Sequence, residues 1–556
     1  MTRFRRQAMA VALVSATIVQ GCISIAPTSS PIPTAAATGQ AQPTPSPTAA
    51  RATATPTPNP TATPSSSLPP ATPSPSPGTP APSASVSGTR PVFTSVDEAY
   101  SQTADWSRCT PSGAIAECAT IYVPTDYDNP SAGTTAIAVA RFETASAPRG
   151  DLFVNPGGPG SAGIGFAAYL AQVAPTLAGT YDIVGFDPRG TGKSDPLVCL
   201  DTADLDKLNA IDPTPDNPAE RQQGIDLVEA QGAACAANSG LLASHVTTIE
   251  AAKDIDVLRA VLGDDKLDYF GFSYGTFLGT TYAALFPDKV DRFVLDGALM
   301  PSLSGMQVSE GQTQGFQTAV TAYIKDCIRQ PSCPLGSSVS DASTKIRDLL
   351  TSVDRDPLPT GDSARPLTQS LAFYGIVDTM YSPQSWPSLT AALAAAFDGS
   401  GQQMLALSDD YFGRSGGQYI TNLIQANTAI NCLDQEVAGG ATQISESKFV
   451  ADSPIFGDIV YGMADMGCGD WPEKTALTPP DYTAPGTPPI LVVGTTRDPA
   501  TPLVWAQELA KTLDNGVLLT RDGDGHTAYL SGNQCIVQNV DDFLVGGTVP
   551  ANDTHC

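Results

Sequence analysis

The stretch Leu267-Asp268-Tyr269-Phe270-Gly271-Phe272-Ser273-Tyr274-Gly275 decides the fold. An apolar segment runs directly into a Gly-x-Ser-x-Gly turn, and the residues after the turn suit a helix. In such a strand–turn–helix unit the serine sits on a strained corner with its hydroxyl exposed above the sheet. The motif is short and also occurs by chance. It indicates a serine hydrolase only together with three further features: a Gly-rich turn upstream, and an acid and a histidine downstream. The sequence contains all three.

Short apolar runs alternate with helical patterns on both sides of this turn. The predicted strands span residues 119–123, 135–140, 152–154, 181–186, 267–270, 292–295, 490–493 and 517–519. Residues 248–262 predict a helix, with Thr247 and Glu250 as its capping box and Gly263 at its end. This alternation indicates an α/β fold with a mostly parallel central sheet and helices on both faces.

The alternation stops between residues 301 and 485. This segment is rich in helical patterns, such as residues 315–329 and 388–397, and lacks clear buried strands. It begins just after the predicted strand 292–295, at the edge of a parallel sheet where ligands bind. We interpret residues 301–485 as a mainly helical cap, inserted into a core formed by residues 92–300 and 486–556. The alternative is a separate domain without a role in the site.

The hydroxyl of Ser273 needs a base that takes its proton. The chain has three histidines. His245 lies just before a predicted helix, upstream of the serine, and His555 is next to the C-terminus. His526 lies in a Gly-rich loop just after a predicted strand, and such a loop can aim an imidazole across the top of the sheet. His526 is therefore the predicted base.

The base needs an acid that fixes its tautomer and stabilises the imidazolium. Asp498 follows the predicted strand 490–493, and the order Ser273, Asp498, His526 is that of the α/β-hydrolase fold. Asp296 also ends a predicted strand and is the alternative acid, or else a structural turn residue. Asp522 is too close in sequence to His526 to reach its far side easily, and the same holds for Asp524.

The negative charge that develops on a substrate's carbonyl oxygen needs fixed hydrogen-bond donors. One predicted donor is the backbone N–H of Tyr274, directly after the nucleophile. The other comes from Asn155-Pro156-Gly157-Gly158-Pro159-Gly160, which follows the predicted strand 152–154. Gly158 is the preferred donor and Gly157 the alternative. No Gly-Lys-Ser/Thr ending marks this loop as a phosphate site, and the sequence predicts no cofactor.

The motifs together carry a family resemblance. Residues 155–160, 185–194, 271–275 and 494–502 resemble the secreted tripeptidyl aminopeptidases of actinobacterial type, relatives of the prolyl iminopeptidases. The resemblance covers residues 106–556 and implies serine exopeptidases that release short peptides from a free N-terminus. It also implies an α/β-hydrolase core with a helical cap and a C-terminal segment that carries the acid and the histidine. This chain has Pro156 where prolyl iminopeptidases usually have His.

An exopeptidase of this kind must recognise the ammonium group of its substrate. A carboxylate in the cap can do so by a charge-assisted hydrogen bond. Asp434 and Glu436 are the candidates, and the alternative is that both are surface charges. Thr501, close after Asp498, is a candidate for tuning the acid by a hydrogen bond.

Cysteine usage indicates an oxidising compartment. The chain has 11 cysteines, and an even number remains for disulfides if Cys22 is set aside. No metal-type cluster of ligands is present in the sequence, so no metal site is predicted. Proximity in sequence suggests the pairs Cys109–Cys118, Cys199–Cys235, Cys327–Cys333, Cys432–Cys468 and Cys535–Cys556.

The N-terminus has the layout of a bacterial lipoprotein signal. Residues 1–21 combine a positive start with a short apolar segment that ends in Val19-Gln20-Gly21-Cys22, which resembles a lipobox. We expect Cys22 to carry a lipid, and the alternative is an ordinary cleaved signal peptide. The rest of residues 22–91 is rich in Pro, Thr, Ser and Ala and predicts an unfolded spacer. The expected location is the extracellular face of the bacterial membrane.

Charge excludes one class of partner. The net charge is −27, which disfavours binding to nucleic acid because phosphates are repelled. The sequence predicts a serine exopeptidase that acts on peptide or protein substrates and contacts the membrane through its lipid. An extracellular carboxylesterase with the same three residues is the first alternative, and a non-catalytic cell-surface binding protein is the second.

Overall fold

The computed structural model describes residues 90–144, 147–437, 443–468, 471 and 477–556. Within these residues the chain builds one large sheet, whose strands are β1 Ser107–Cys109, β2 Ala116–Pro124, β3 Thr134–Phe142, β4 Asp151–Asn155, β5 Asp182–Phe186, β6 Leu267–Phe272, β7 Val290–Asp296, β10 Ile490–Arg497, β11 Gly516–Asp524 and β12 Thr554–His555. Their order across the sheet is β1-β2-β3-β5-β4-β6-β7-β10-β11-β12. A small hairpin comprises β8 Arg414–Ser415 and β9 Gln418–Tyr419.

The sheet is antiparallel at one edge and parallel elsewhere. The pairs β1–β2, β2–β3 and β3–β5 are antiparallel, and every pair from β5 to β12 is parallel. The central strands β4, β5 and β6 are buried along their whole length, as expected for strands covered on both faces. The chain therefore has the α/β-hydrolase fold that the sequence predicts.

Helices flank the sheet and fill the long connection between β7 and β10. The helices before β7 are Val96–Tyr100, Gly163–Val173, Pro175–Ala178, Thr202–Asn209, Pro218–Ser239, Thr248–Leu262 and Tyr274–Leu285. Those between β7 and β10, a segment that we call the insertion, are Gly305–Cys327, Val339–Arg355, Gln369–Met380, Trp386–Phe397, Gln402–Phe412, Leu423–Val437, Glu446–Asp452 and Gly457–Met466. After β10 follow Leu503–Thr512 and Gln534–Gly546. Among the described residues, no helix combines the length and apolarity needed to cross a membrane.

Local sequence signals explain the helix that precedes β6. Thr247 and Glu250 form the predicted capping box of the helix Thr248–Leu262, and Gly263 ends it in a left-handed conformation with φ 98°. The buried face of this helix includes Ala251, Ile255 and Leu258. These side chains belong to the same buried cluster as Tyr269 of β6 and Tyr274 after the Ser273 turn.

Disulfide bonds cross-link segments of both the core and the insertion. In the described residues the bonds are those that sequence proximity predicts, Cys109–Cys118, Cys199–Cys235, Cys327–Cys333, Cys432–Cys468 and Cys535–Cys556. Cys432–Cys468 ties the helix Leu423–Val437 to the chain just after the helix Gly457–Met466. Its two cysteines are 36 residues apart, so the bond closes a long loop.

We expect the double substitution Cys432→Ala/Cys468→Ala to lower stability substantially. The disulfide closes a loop of this length and so lowers the entropy of the unfolded chain. Removing it should lower the free energy of unfolding by about 3–4 kcal/mol. Urea unfolding of the purified ectodomain measures the change. The double substitution Cys327→Ala/Cys333→Ala is the matched control, because its loop is only 6 residues long and the expected loss is smaller. Equal losses in the two variants would contradict the loop-closure argument.

Candidate active site

Ser273 occupies a strained corner between β6 and the helix Tyr274–Leu285. Its backbone has φ 56° and ψ −126°, a conformation that residues other than glycine rarely adopt. Such a conformation costs on the order of 1–3 kcal/mol and persists only where the surrounding structure holds it. Here the N–H of Ser273 donates to the backbone carbonyl of Asp296 at the end of β7, 2.9 Å away. The motif thus forms the sharp turn that the sequence predicts.

The two glycines of the motif are required by close backbone packing. A Cβ atom on Gly271 would collide with the carbonyl oxygen of Gly275. A Cβ atom on Gly275 would lie 2.7 Å from the carbonyl oxygen of Asn155, at the end of β4. The turn can therefore sit tightly against the neighbouring strand only with glycine on both sides of the serine.

His526 and Asp498 form a fully buried pair. The Nδ1 atom of His526 lies 2.8 Å and 3.0 Å from the two carboxylate oxygens of Asp498, and neither side chain is exposed to solvent. The same carboxylate accepts backbone N–H groups from Ala500, Thr501 and Thr527 at 2.8–3.0 Å. These donors compensate a buried charge and fix its orientation, so Asp498 is built as an acceptor for the imidazole.

The imidazole is held from the insertion as well. The backbone N–H of His526 donates to the backbone carbonyl of Tyr381 at 2.9 Å, and the imidazole meets the Tyr381 ring edge to face with centroids 5.3 Å apart. The Nε2 atom of His526 is buried and has no hydrogen-bond partner within the described part of the chain. A buried polar atom without a partner is costly and needs an explanation, such as a catalytic role. Nε2 is the nitrogen that remains for proton transfer.

Asp296 connects the serine turn with the histidine loop. Its carboxylate accepts the N–H groups of Ala528 and Tyr529 at 2.8–3.0 Å, while its carbonyl accepts from Ser273. Burial raises the pKa of Asp296 to about 7. At the next residue, Gly297, a Cβ atom would lie 3.3 Å from the Cε1 atom of His526. Asp296 therefore shapes the loop and is not the acid bonded to the imidazole.

The loop 155–160 packs directly against Ser273. A Cβ atom on Gly157 would lie 2.9 Å from both the Cβ of Ser273 and the backbone nitrogen of Tyr274. The N–H of Gly157 is already used, because it donates to the Asn155 side chain at 2.9 Å. In the described residues neither the N–H of Gly158 nor that of Tyr274 has an acceptor. The amides of Gly158 and Tyr274 are thus not engaged by another acceptor there, and their role as oxyanion donors stays a prediction.

The sequence also marks Asp434, Glu436, Thr501 and Cys22 as candidates. Both carboxylate oxygens of Asp434 accept hydrogen bonds from Thr248, at 2.9 Å from its N–H and 2.6 Å from its hydroxyl, and burial raises the pKa of Asp434 to about 7. The hydrogen bonds of this carboxylate are therefore internal to the protein. Thr501 Oγ1 lies 3.3 Å from His526 Nδ1. The side chain of Glu436 and the whole of Cys22 lie outside the described residues.

Three residues near this site were not predicted from the sequence. Tyr381 contacts His526, Asn427 donates to the carbonyl of Pro159, and Thr248 bonds the hydroxyl of Tyr274. Each contact joins segments far apart in the chain, and no spacing pattern marks it. A signal existed only for Thr248, which is the first residue of a helix with a predicted capping box.

Comparison with known proteins identifies relatives over most of the chain. Residues 453–556 match the family model of TAP-like proteins, an α/β-hydrolase family. The chain is 37% identical over 479 residues to the serine protease Hip1 of Mycobacterium tuberculosis, an alignment that covers 82% of this chain and 91% of the relative.

Two further relatives differ in their described activities. One is Carboxylesterase B of Mycobacterium tuberculosis, 35% identical over 477 residues, with 81% of this chain and 89% of the relative covered. The other is the tripeptidyl aminopeptidase of Streptomyces lividans, 30% identical over 473 residues, with 81% of this chain and 86% of the relative covered. All three alignments are long enough to span both the core and the insertion.

Proposed function

This chain belongs to the TAP-like family of α/β-hydrolase serine peptidases, and on that premise we propose that it releases short peptides from the free N-terminus of peptide or protein substrates. The observation that carries the proposal is the buried His526–Asp498 pair with an unpartnered Nε2. His526 lies on a loop that Asp296 ties to the Ser273 turn. An acid, a base and a strained serine beside two free amides are the components of acyl transfer.

In this proposal the reaction passes through an acyl-enzyme. Ser273 Oγ attacks the carbonyl carbon of the scissile bond, and His526 Nε2 takes the hydroxyl proton. The N–H groups of Gly158 and Tyr274 stabilise the oxyanion, while Asp498 stabilises the imidazolium. His526 then gives its proton to the leaving amine. Water, deprotonated by the same imidazole, hydrolyses the acyl-enzyme and restores the serine.

A carboxylesterase is the second candidate, because one relative with 35% identity is described as Carboxylesterase B. The three catalytic side chains serve both reactions equally, so they do not discriminate between an ester and a peptide bond. What differs is the demand for a free amino group on the substrate. The test therefore compares substrates that differ only at that group.

We expect the purified ectodomain to cleave tripeptidyl p-nitroanilides with a free N-terminus and to lose activity on their N-acetylated forms. Acetylation removes the positive charge that an exopeptidase site must bind, and a lost charged hydrogen bond costs about 1.5–3 kcal/mol, or roughly 10- to 100-fold in kcat/KM. p-Nitrophenyl acetate serves as the esterase control. Equal rates on free and blocked peptides, or a strong preference for the ester over both, would contradict the exopeptidase assignment.

We also propose that the protein is anchored by lipid at Cys22 on the extracellular face of the bacterial membrane. The support comes from the sequence, since residues 1–21 have the layout of a lipoprotein signal. The disulfides use ten cysteines of the 11 in the chain, and Cys22 remains for the lipid. Residues between Cys22 and Arg90 have the composition of an extended spacer.

We expect Cys22→Ala to abolish incorporation of labelled palmitate and to shift the protein from the membrane fraction to the medium. The thioether-linked diacylglycerol needs the thiol, so no other side chain at this position can replace it. Cell fractionation and fluorography measure both effects. A Cys22→Ala protein that still takes up palmitate and stays with the membrane would overturn the anchor.

A further inference from the structure

The helix Leu423–Val437 of the insertion is hydrogen-bonded to residues next to Gly158 and Tyr274, whose N–H groups are the proposed oxyanion donors. We infer that this helix, called the clamp helix below, positions the two oxyanion donors, through Asn427 on one side and through Asp434 and Thr248 on the other. The inference rests on the proposed roles of Gly158 and Tyr274. It assigns to part of the insertion a role in the chemical step, beyond covering the site.

The first contact is with the loop that carries Gly158. A Cβ atom on Gly160 would lie 2.8 Å from the carbonyl oxygen of Leu423, so the loop and the N-terminal turn of the clamp helix touch through their backbones. Asn427 Nδ2 donates to the carbonyl of Pro159 at 3.1 Å, directly after Gly158. The clamp helix therefore holds the loop at Pro159 and Gly160, directly after Gly158.

The orientation of Asn427 is fixed in turn. Asn431, one helical turn further on, donates its Nδ2 to the Oδ1 of Asn427 at 3.0 Å. This hydrogen bond leaves the Nδ2 of Asn427 directed to the Pro159 carbonyl. An asparagine whose amide is held at both ends has little rotational freedom, so the constraint on the loop is stiff.

The second contact reaches Tyr274 through its side chain. The hydroxyl of Tyr274 is hydrogen-bonded to Thr248 Oγ1, and Thr248 donates its own hydroxyl to Asp434 at 2.6 Å. Asp434 also accepts the N–H of Thr248 at 2.9 Å. Tyr274 is buried, with 6% of the residue exposed. Since the ring and the oxyanion amide belong to one residue, fixing the ring restrains the direction in which the N–H points.

The clamp helix is itself firmly seated. Gln425 Oε1 accepts the N–H groups of Cys199 and Leu200, both at 2.8 Å. Near its other end, Cys432 is joined to Cys468. A support of this kind affects catalysis, because a misplacement of about 1 Å at a reacting group can cost about 10²-fold in rate. Asn427, Thr248 and Asp434 are therefore positioning residues, which act through Gly158 and Tyr274.

The first test uses Asn427→Asp, which keeps the shape of the side chain and replaces the donor by an acceptor. The probe is a fluorophosphonate, whose phosphoryl oxygen occupies the oxyanion position when it reacts with the serine. We expect labelling at Ser273 to slow roughly tenfold. This is less than the effect of removing one oxyanion donor altogether, which lowers the rate by about 10²- to 10³-fold. With p-nitrophenyl acetate, kcat should fall while KM and the thermal midpoint stay unchanged.

The matched control is Asn515→Asp. Asn515 also donates its Nδ2 to a backbone carbonyl, that of Thr487 at 2.8 Å, but it lies at the opposite end of the sheet, just before β11. Its labelling rate should equal that of the wild type. Equal slowing in both asparagine variants would show a general effect of the substitution and overturn the positioning role.

The second test examines the Tyr274 side with Thr248→Val, Tyr274→Phe and the double variant. Because the two hydroxyls belong to one hydrogen-bonded chain, the double variant should label no more slowly than the slower single variant. If the slowing in the double variant were instead the sum of the slowing in the two single variants, the inference would be overturned. The same holds if these three variants and Asn427→Asp all label at the wild-type rate. Both outcomes would leave the proposed function intact. A wild-type protein that does not label at Ser273 would overturn the proposed function, and the inference with it.

Discussion

Replacement of Ser273 by alanine is expected to abolish both turnover and fluorophosphonate labelling. The nucleophile of a triad acts together with its base and its acid, and its loss costs about 10⁶-fold in kcat. What remains is the roughly 10³- to 10⁴-fold acceleration that an oxyanion hole and substrate binding supply without the triad. Labelling measured by mass spectrometry on the purified ectodomain gives the result directly, because only an activated serine reacts with the probe.

The control for this substitution exploits the strained backbone. Ser273 has φ 56° and ψ −126°, which alanine tolerates no better than serine but glycine adopts readily. Ser273→Gly should therefore be as inactive as Ser273→Ala and more stable than it by about 1 kcal/mol or more. Labelling that persists in either variant would place the nucleophile elsewhere. Equal stabilities of the two variants would contradict the strain at the turn.

Replacement of Asp498 by asparagine is expected to lower kcat about 10⁴-fold. An asparagine can still accept the backbone N–H groups of Ala500 and Thr501 through its Oδ1, but it loses the acceptor that the second carboxylate oxygen offers to the N–H of Thr527. Its amide nitrogen, however, presents a donor to His526 Nδ1 and favours the wrong imidazole tautomer. Initial rates with p-nitrophenyl acetate at saturating substrate measure the loss.

Asp296→Asn is the matched comparison, since Asp296 is the other carboxylate at a strand end beside the site. It bonds the backbone of Ala528 and Tyr529 and not the imidazole. Because burial raises the pKa of Asp296 to about 7, a neutral amide resembles the form that is populated below that pH. We expect kcat to fall by less than about tenfold, because a single hydrogen bond contributes only about 1 kcal/mol. A larger loss for Asp296→Asn than for Asp498→Asn would reverse the assignment of the acid.

The local structure around Ser273 was predictable wherever it follows from contiguous sequence. Strand β6, the Gly-x-Ser-x-Gly turn and the loop 155–160 are contiguous segments, and their glycines are required by the close packing of the backbone. The choice of Asp498 over Asp296 followed from chain order alone, and the structure pairs Asp498 with His526. Sequence proximity was sufficient for the disulfides because each joins cysteines no more than 36 residues apart.

The supports from the insertion could not be predicted in this way. Tyr381 and His526 are 145 positions apart in the sequence, and Asn427 and Pro159 are 268 positions apart. Such contacts depend on how the insertion helices pack, and a single sequence carries no periodic signal for that packing. Asp434 was singled out for its charge, but its position is explained by the hydrogen bonds it accepts from Thr248.

One helix boundary was missed although a local signal was present. The sequence predicts a helix over residues 315–329, whereas the observed helix is Gly305–Cys327. Ser304 and Gln307 form a capping box that starts it ten residues earlier. The glycines at 311 and 315 weaken the helical pattern there, yet both are buried where the helix packs closely. A Cβ atom on Gly311 would collide with the ring of Trp505.

The central claim is that an alcohol, an imidazole and a carboxylate converge above one sheet. A crystal structure of the ectodomain after reaction with a fluorophosphonate tests it most directly. We expect phosphorus bonded to Ser273 Oγ and the phosphoryl oxygen hydrogen-bonded to the N–H groups of Gly158 and Tyr274. His526 Nε2 should lie within about 3.2 Å of the serine oxygen, with Nδ1 still on Asp498. An adduct on another residue, or an imidazole out of reach of Ser273, would contradict the account.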